Sequence, residues 1–300
     1  MTTKRAWLLV LLGIAVVVGI FAVVIHYANV PVLEPQGIIG LKERNLIYFA
    51  FGLSLIVVIP VFVMLFLFAY KYREGNHATY QPNWDHHRGI ETIWWLVPTI
   101  LILILSVVTW NSSHDLDPYR PLASTATPLR VQVIALQWRW LFIYPDLGVA
   151  SVNHLQIPVG QPVNFEITAD APMNSFWIPQ LGGQVYAMAG MVTKLHLQAD
   201  NVGDYYGTSA NISGKGFSDM HFDVRADSST AFYDWLAAVQ QSPRFLTFDS
   251  YEQLAKPSRN TDTQLYGATQ ADLFSLIHSK FMGHSHSMAA MEQPDGSLGT

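Results

Sequence analysis

The stretch Tyr205-Tyr206-Gly207-Thr208-Ser209-Ala210-Asn211-Ile212-Ser213-Gly214-Lys215-Gly216-Phe217-Ser218-Asp219-Met220 decides how the second half of the chain folds. Its middle consists of small and polar residues, a composition typical of a turn between strands. Directly after it, Phe222 and Val224 alternate with Asp223 and Arg225. A period of two is typical of a strand with one buried face. On composition alone, the stretch is therefore a Gly/Ser-rich hairpin.

The same period of two recurs in the residues that precede this hairpin. The alternating runs are Val163, Phe165 and Ile167 between Asn164, Glu166 and Thr168, and Leu195 and Leu197 between Lys194, His196 and Gln198. Turn signals rich in glycine, proline and asparagine separate the runs at residues 159–162, 181–183 and 201–204. Short, evenly spaced strands of this kind predict a β-sandwich over residues 129–226.

The composition indicates that this sandwich belongs to a membrane protein. Of the 300 residues, 50% are hydrophobic and only 13% are charged, whereas soluble domains carry roughly 25% charged residues. The net charge of −5 argues against nucleic acid as a partner. The absence of cysteine excludes disulfides, thiolate metal sites and a catalytic thiol.

Three apolar stretches precede the sandwich. Residues 46–70 and 92–110 contain no charged side chain, and each is about as long as the ~20 residues that cross a bilayer. Both therefore predict transmembrane helices. Residues 1–28, with an uncharged run from Ala6 to Ile25, fit either a signal peptide or a first transmembrane segment.

Basic residues predict the orientation of these segments. They lie before the first apolar run and in the loop of residues 71–91: Lys4, Arg5, Lys71, Arg73 and Arg88. The positive-inside rule places both groups in the cytoplasm. Everything after Trp110 is then expected in the periplasm, starting with a proline-containing linker that reaches Pro128.

A helical region is predicted after the sandwich, over residues 227–282. Either Ser228 or Ser229 fits the N-cap of a helix through residues 231–239, whose apolar residues share one face. Two more short helices are expected around residues 251–255 and 272–281.

Histidines near two segment ends raise the question of a metal site. They are the pair His86–His87 before the second predicted transmembrane helix, and His284 and His286, which lie with Met282 and Met288 at the start of a predicted flexible tail, residues 283–300. We interpret both groups as solvated side chains.

Over nearly its whole length, the chain resembles subunit II of the haem–copper oxidases. The segments that carry the resemblance are Glu34–Gly40, Gln137–Pro145, Met173–Pro179, Tyr186–Met191, Tyr205–Met220 and Lys280–Met282. In copper-bearing members of the family, the loop that matches Tyr205–Met220 holds a two-copper centre. The positions that match its ligands are Asn174, Ser209, Asn211 (through its main-chain carbonyl), Ser213, Phe217 and Met220.

The residues at these positions are unsuited to copper. A bridged copper pair needs two ionised thiolates, and the hydroxyls of Ser209 and Ser213 do not replace them. In the family, copper-free loops of this shape belong to quinol oxidases, and the resemblance extends to the cytochrome bo-type ubiquinol oxidases. It implies an α+β membrane protein with N-terminal transmembrane helices, a periplasmic cupredoxin-like β-sandwich and a small C-terminal helical segment.

The resemblance also implies a function, as a non-redox subunit of a proton-pumping ubiquinol oxidase in the bacterial inner membrane. In the family, the haems, the copper and quinol oxidation lie in subunit I, so this chain is expected to hold no cofactor and no catalytic residue. Its expected partners are subunit I, the smaller membrane subunits and the lipid bilayer, with neither nucleic acid nor cytochrome c. Ala28 stands where many relatives carry a lipid-modified cysteine, so no lipid anchor is expected.

Two further sites follow from the resemblance. Glu91 matches a glutamate at the mouth of a proton-uptake channel of subunit I. It also fits a helix-start carboxylate that the helix dipole stabilises, and the two interpretations are compatible. Trp138 and Trp140 flank Arg139 in a predicted strand. Without copper to donate electrons, we expect both tryptophans to pack at the contact with subunit I.

The alternative from another functional class is a stand-alone, membrane-anchored cupredoxin-like protein that handles copper with its Met/His tail. An electron-accepting subunit of a cytochrome c oxidase is disfavoured, because Asn174, Ser209, Ser213 and Phe217 are not copper ligands. Co-purification of a haem-rich partner separates the oxidase subunit from the stand-alone protein.

Overall fold

Two long apolar helices lie at the start of this computed structural model, which describes residues 12, 13, 16, 19, 20, 23, 30–73, 86–259 and 262–291, the last nine without their side chains. Helix α1 spans Ile38–Lys71 and helix α2 spans Arg88–Asp115. Both are long and apolar enough to cross a membrane. The two predicted transmembrane helices are thereby confirmed, and each helix continues beyond its uncharged run.

Several sequence-based interpretations concern residues that lie outside the described ones. These are most of residues 1–28, including Ala28, then residues 74–85 of the expected cytoplasmic loop and residues 292–300 of the expected tail. The described chain divides into two units. One is Met1–Val30 with Arg44–Leu116, and the other is Pro31–Glu43 with Asp117–Thr300.

The second unit contains the predicted sandwich. Its strands are β1 (Leu129–Leu136), β2 (Arg139–Tyr144), β3 (Val149–Val152), β4 (His154–Pro158), β5 (Val163–Ala169), β6 (Asn174–Trp177), β7 (Val185–Ala187), β8 (Thr193–Leu197), β9 (Gly203–Ser209), β10 (His221–Asp227), β11 (Phe245–Leu246), β12 (Gln264–Tyr266) and β13 (Ala268–Thr269). One sheet has the order β12-β3-β2-β1-β5-β8 and the other the order β4-β10-β9-β6-β7. Strand β1 pairs with β5 and β10 pairs with β4 in parallel.

The space between the two sheets is filled by the alternating apolar residues and by aromatic rings. In β5 and β10, the predicted inward residues are buried, as the alternation requires. The rings of Phe176 and Phe222 stack with their centroids 5.3 Å apart. The ring of Trp140 meets Phe222 edge-on at 5.6 Å. Such aromatic contacts add to the stabilisation from buried area alone.

The outer face of the six-stranded sheet is also buried along β2 and β3. All six residues of β2 and all four of β3 are shielded from solvent, because the region after β10 packs against their second face. This region forms helices α3 (Ser229–Gln240), α4 (Phe248–Leu254) and α5 (Leu273–Met291). The second core that results joins Ile134, Leu136, Leu141, Ile143, Ala150 and Val152 of the sheet to Leu246, Tyr251, Leu254, Tyr266, Leu273, Phe274 and Ile277.

The three C-terminal helices fall close to their predicted positions. Ser228 is the N-cap of α3, where its hydroxyl accepts a hydrogen bond from the backbone N–H of Ala231 at 3.3 Å. Helix α4 begins at a capping box formed by Thr247 and Ser250. The backbone of α5 continues to Met291, past residue 283, where the sequence predicts the start of a flexible tail.

The residues that lead into α1 are fixed on the loops of the sandwich by main-chain hydrogen bonds. The N–H of Gln36 donates to Gln180 at 2.7 Å, and the N–H of Gly40 donates to Leu181 at 2.9 Å. A Cβ atom at Gly37 would lie 2.2 Å from the carbonyl oxygen of Gln198. Only glycine permits this close approach.

We expect Gly207→Ala to destabilise the sandwich by about 1–3 kcal/mol, the usual cost of overpacking a core. Gly207 lies opposite Phe222 in the β9–β10 pair, and an added Cβ would lie 2.1 Å from two carbons of that ring. The matched control is Gly203→Ala in the same strand, where the added Cβ first meets the ring of Tyr205 at 3.2 Å. Urea unfolding of the full chain measures both variants, and equal losses would contradict this packing argument.

Candidate functional site

The candidate site is the end of the five-stranded sheet where β9 turns into β10. The loop leaves β9 at Ser209, passes through a 3-10 turn at Phe217–Asp219 and enters β10 at His221. Its base is closed because the N–H of Ser209 donates to the carbonyl of Met220 at 3.2 Å. The neighbouring strand β6 starts at Asn174, so the antiparallel β6–β9 pair brings Asn174 to the same end as Ser209.

Asn174 and Ser209 form a buried polar contact. The Ser209 hydroxyl donates to Oδ1 of Asn174 at 3.0 Å, and the two residues are 3% and 1% exposed. The amide nitrogen of Asn174 in turn donates to the carbonyl of Pro172 at 2.7 Å. Each polar group of this pair is therefore satisfied by its neighbours, as buried polar groups require.

The remaining positions of the predicted site lie in the same loop. Asn211 donates from its side-chain amide to the carbonyl of Met173 at 3.0 Å, and its own carbonyl lies 3.4 Å from the Ser209 hydroxyl. Met220 is buried, whereas Phe217 is half-buried. The hydroxyl of Ser213 is buried and has no hydrogen-bond partner in the described part of the chain. Hydrogen bonds thus join Asn174, Ser209 and Asn211, and the loop carries the other three.

These residues do not fit a copper centre. The donors at the six positions are two neutral hydroxyls, an amide, a main-chain carbonyl and one thioether, and Phe217 offers none. Copper at a bridged site needs soft, ionised sulfur. Among the described residues, no three His, Cys, Asp or Glu side chains lie together as a metal-binding group. The chemistry of this loop is that of a hydrogen-bonded turn.

Trp138 packs directly against the loop. It lies in the turn between β1 and β2 with a positive φ of 69°, a conformation that few non-glycine residues adopt. Its indole N–H donates to the carbonyl of Ser213 at 3.2 Å. At Gly216, an added Cβ would lie 2.2 Å from the indole ring, so the loop backbone rests directly on this side chain.

The structure corrects the expectation for Trp140. This residue is 0% exposed and packs in the aromatic core between the two sheets, so it has no surface left for a partner subunit. The two tryptophans face different surroundings because the turn at Trp138 interrupts the strand that the sequence predicts across both. Only the half-buried Trp138 keeps surface for such a contact.

Glu91 lies at the start of α2, where its carboxylate binds the main chain. Its Oε1 atom accepts a hydrogen bond from the N–H of His87 at 3.1 Å and lies 3.3 Å from Nδ1 of His86. The imidazole of His87 accepts from the N–H of Ile90 at 3.2 Å and acts as the N-cap. The His86–His87 pair therefore takes part in capping the helix, together with the carboxylate.

Arg139 is a feature that the sequence analysis left without a role. It is 7% exposed, and its guanidinium donates to the carbonyls of Leu254 and Lys256 in the C-terminal region, at 3.1 Å for Lys256. Burial lowers the pKa of Arg139 from its ordinary value, yet an arginine stays protonated. The signal was present in the sequence, since a charged residue interrupts an otherwise apolar run.

Comparisons with known proteins agree with this geometry. The family model "Cytochrome C oxidase subunit II, periplasmic domain" matches residues 147–226, and the model "COX Aromatic Rich Motif" matches residues 240–285. The curated protein "Cytochrome bo(3) ubiquinol oxidase subunit 2" of Pseudomonas putida is 47% identical over 266 residues, which are 88% of this chain and 85% of that protein. "Ubiquinol oxidase subunit 2" of Acetobacter aceti is 45% identical over 263 residues, 87% of this chain and 85% of that protein.

Similarity extends to more distant proteins. "Quinol oxidase subunit 2" of Bacillus cereus is 38% identical over 228 residues, 75% of this chain and 78% of that protein. Among solved structures, the periplasmic domain of subunit II of cytochrome oxidase of Bradyrhizobium japonicum is 22% identical and covers 39% of this chain and 96% of its own, with a TM-score of 0.36. The fold described above rests on strand order and on the family model, and not on this superposition.

We expect four substitutions together to rebuild a copper site: Asn174→His, Ser209→Cys, Ser213→Cys and Phe217→His. The main-chain hydrogen bond that closes the loop, from the N–H of Ser209 to the carbonyl of Met220, does not involve these side chains. The new thiolates and imidazoles are copper ligands. Elemental analysis of the purified full chain should find near-stoichiometric copper. The wild type and the variant with only the two histidines are the controls, because neither supplies a thiolate. A well-folded fourfold variant without copper would show that the loop geometry does not suit the metal.

Proposed function

Because the chain belongs to the subunit 2 family of ubiquinol oxidases, it is a subunit of a membrane-bound quinol oxidase, and we propose that its part in that enzyme involves no redox centre of its own. Quinol oxidation, the haems and the oxygen-reducing copper are assigned to subunit I. This chain assists subunit I by assembly, by covering its periplasmic face and by contributing to proton uptake.

The observation that carries this proposal is the loop between β9 and β10. A subunit that accepts electrons from cytochrome c needs a metal here. In this loop, Asn174 and Ser209 are instead hydrogen-bonded to each other, and Ser213 offers only a neutral hydroxyl. The loop nevertheless keeps a closed base and an aromatic support. A retained frame without ligands suits a scaffold for a neighbouring subunit, and cytochrome c is not expected as a partner.

Two helices anchor the chain in a membrane, and the basic residues indicate the orientation of these helices. Lys71 ends α1, Arg73 follows it, and Arg88 starts α2, so the positive-inside rule places this connection in the cytoplasm of a bacterial inner membrane. The sandwich then lies in the periplasm. Within the described part of the chain, the most apolar stretches of both helices have no buried residue. Lipid, subunit I and the smaller membrane subunits are the surfaces that cover them.

The alternative, a stand-alone copper-handling protein, finds no support among the relatives, whose names describe oxidase subunits. Purification in mild detergent with an affinity tag on this chain tests the oxidase assignment. A haem-rich large subunit should co-purify, and its haem absorbance should follow the tagged chain through size exclusion. Recovery of this chain alone from membranes with intact oxidase activity would contradict the proposal.

Glu91 is the residue we propose for proton uptake. Its side chain is 37% exposed, so the carboxylate has both a fixed position and access to water. The hydrogen bonds from the helix start hold it where α2 begins, on the side assigned to the cytoplasm. A carboxylate so placed can take protons from water and present them to a channel of subunit I, while also stabilising the helix start.

We expect Glu91→Gln to slow quinol oxidase turnover in part, without changing assembly or haem content. The amide keeps the shape of the side chain but loses the titratable proton, and water can bypass a single group at a channel mouth. The effect on the helix itself should be at most about 1 kcal/mol. The control His86→Ala removes the contact between His86 and Glu91 but leaves the carboxylate. Unchanged turnover in a fully assembled Glu91→Gln complex would leave Glu91 only its role in capping.

A further inference from the structure

We propose that the C-terminal segment, residues 245–282, holds the metal-free loop end of the sandwich in place through cross-links of its own. The geometry behind this assignment is a set of three polar anchors. Each anchor reaches a part of the chain next to one of the lost ligand positions or next to Trp138. The inference concerns order in this chain alone and does not depend on quinol oxidation.

The first anchor holds the strand connection that carries Asn174. The Tyr251 hydroxyl donates to Oδ2 of Asp170 at 2.7 Å, and the Lys280 ammonium lies 2.9 Å from the same oxygen. The side chain of Asp170 is only 12% exposed, so this interaction is shielded from water. Burial, followed by the hydrogen bond to Asp170, raises the pKa of Tyr251, which keeps its hydroxyl a donor. Asp170 lies only four residues before Asn174.

The second anchor holds the turn of Trp138 from both sides. On one side, the Arg139 guanidinium donates to the carbonyls of Leu254 and Lys256 at the end of α4. A cation there also suits the negative end of the helix dipole. On the other side, the carbonyl of Gln137 accepts from the N–H of Ser258 at 3.4 Å. The indole that supports the loop is thus positioned by the C-terminal segment.

The third anchor reaches the loop itself. Nε of Arg259 lies 2.8 Å from Oδ2 of Asp219, and Asp219 immediately precedes Met220. The N–H of Asp219 donates to the carbonyl of Gly216 at 3.1 Å within the 3-10 turn. This ion pair is more exposed than the first anchor, so it contributes less. It links the segment directly to the loop through side chains.

Together, the anchors add links between three stretches, two of which also meet where the N–H of Asp170 donates to the carbonyl of Ala135 at 2.9 Å. A metal bound at this end would join only the stretch of Asn174 to the loop, because no predicted ligand position lies in the turn of Trp138. The hydrogen bond between Asn174 and Ser209 joins the same two stretches. The second core beneath the anchors, built on Tyr251 and Leu254, gives the C-terminal segment a rigid base from which to hold the rest.

Hydrogen–deuterium exchange of the full-length chain, purified in detergent, tests this role. The readout is the set of loop amides that donate main-chain hydrogen bonds: Ser209, Ala210, Phe217, Asp219 and Met220. In Tyr251→Phe and in Arg259→Gln, we expect these amides to exchange about three- to tenfold faster, because loss of an anchor makes local opening easier. Tyr251→Phe keeps the ring in the core and removes only the hydroxyl, and Arg259→Gln changes a surface residue.

The matched control is Arg130→Gln. Arg130 forms an exposed ion pair with Asp146 at 3.3 Å, and it lies at the start of β1, at the opposite end of that strand from Trp138. Loop exchange in this variant should stay within twofold of the wild type. If Tyr251→Phe and Arg259→Gln speed exchange in the C-terminal segment but leave the loop amides at the wild-type rate, the segment only covers the sheet and the proposal is wrong.

Discussion

The burial of β2, β3 and the last four residues of β1 on both faces is the constraint on which the rest of the domain depends. One face meets the second sheet through Trp140, Phe142 and their aromatic neighbours, and the other meets the C-terminal segment through Leu136 and Leu141. A strand shielded on both sides is an apolar run without alternation. The charged Arg139 at its start is tolerated because carbonyls of the C-terminal segment accept its hydrogen bonds.

The loop between β9 and β10 has a closed main-chain base although its side chains are unsuited to binding a metal. Hydroxyl and amide groups occupy positions at which a metal centre would need thiolate and imidazole. Those of Ser209 and Asn174 bond to each other, whereas the Ser213 hydroxyl has no partner among the described residues. The backbone still rests on an indole ring through the glycine at 216. The loop thus takes its order from hydrogen bonds and from packing against Trp138.

Much of this architecture could be predicted from the sequence, and the predictions that failed did so for physical reasons. The alternation of apolar and polar residues around Phe165 and Val224 predicted the sandwich, because a strand with one solvent-exposed face shows a period of two. The double-faced burial of β2 was missed, since a short apolar run gives no period to detect. The expectation for Trp140 failed for a related reason. In one continuous strand, Trp138 and Trp140 would lie on the same face. The left-handed backbone of Trp138 breaks that strand, and no spacing rule revealed this.

The covering of the outer sheet face by the C-terminal segment has a consequence for how the chain is made. Leu136 and Leu141 leave the ribosome more than a hundred residues before Leu273 and Ile277, with which they form the second core. During synthesis, the outer face of an already paired sheet therefore stays uncovered until almost the whole chain has emerged. Contacts so distant in sequence form slowly, and exposed apolar sheet faces associate with other chains. Completion of residues 246–277 is thus part of what protects the newly made protein from aggregation.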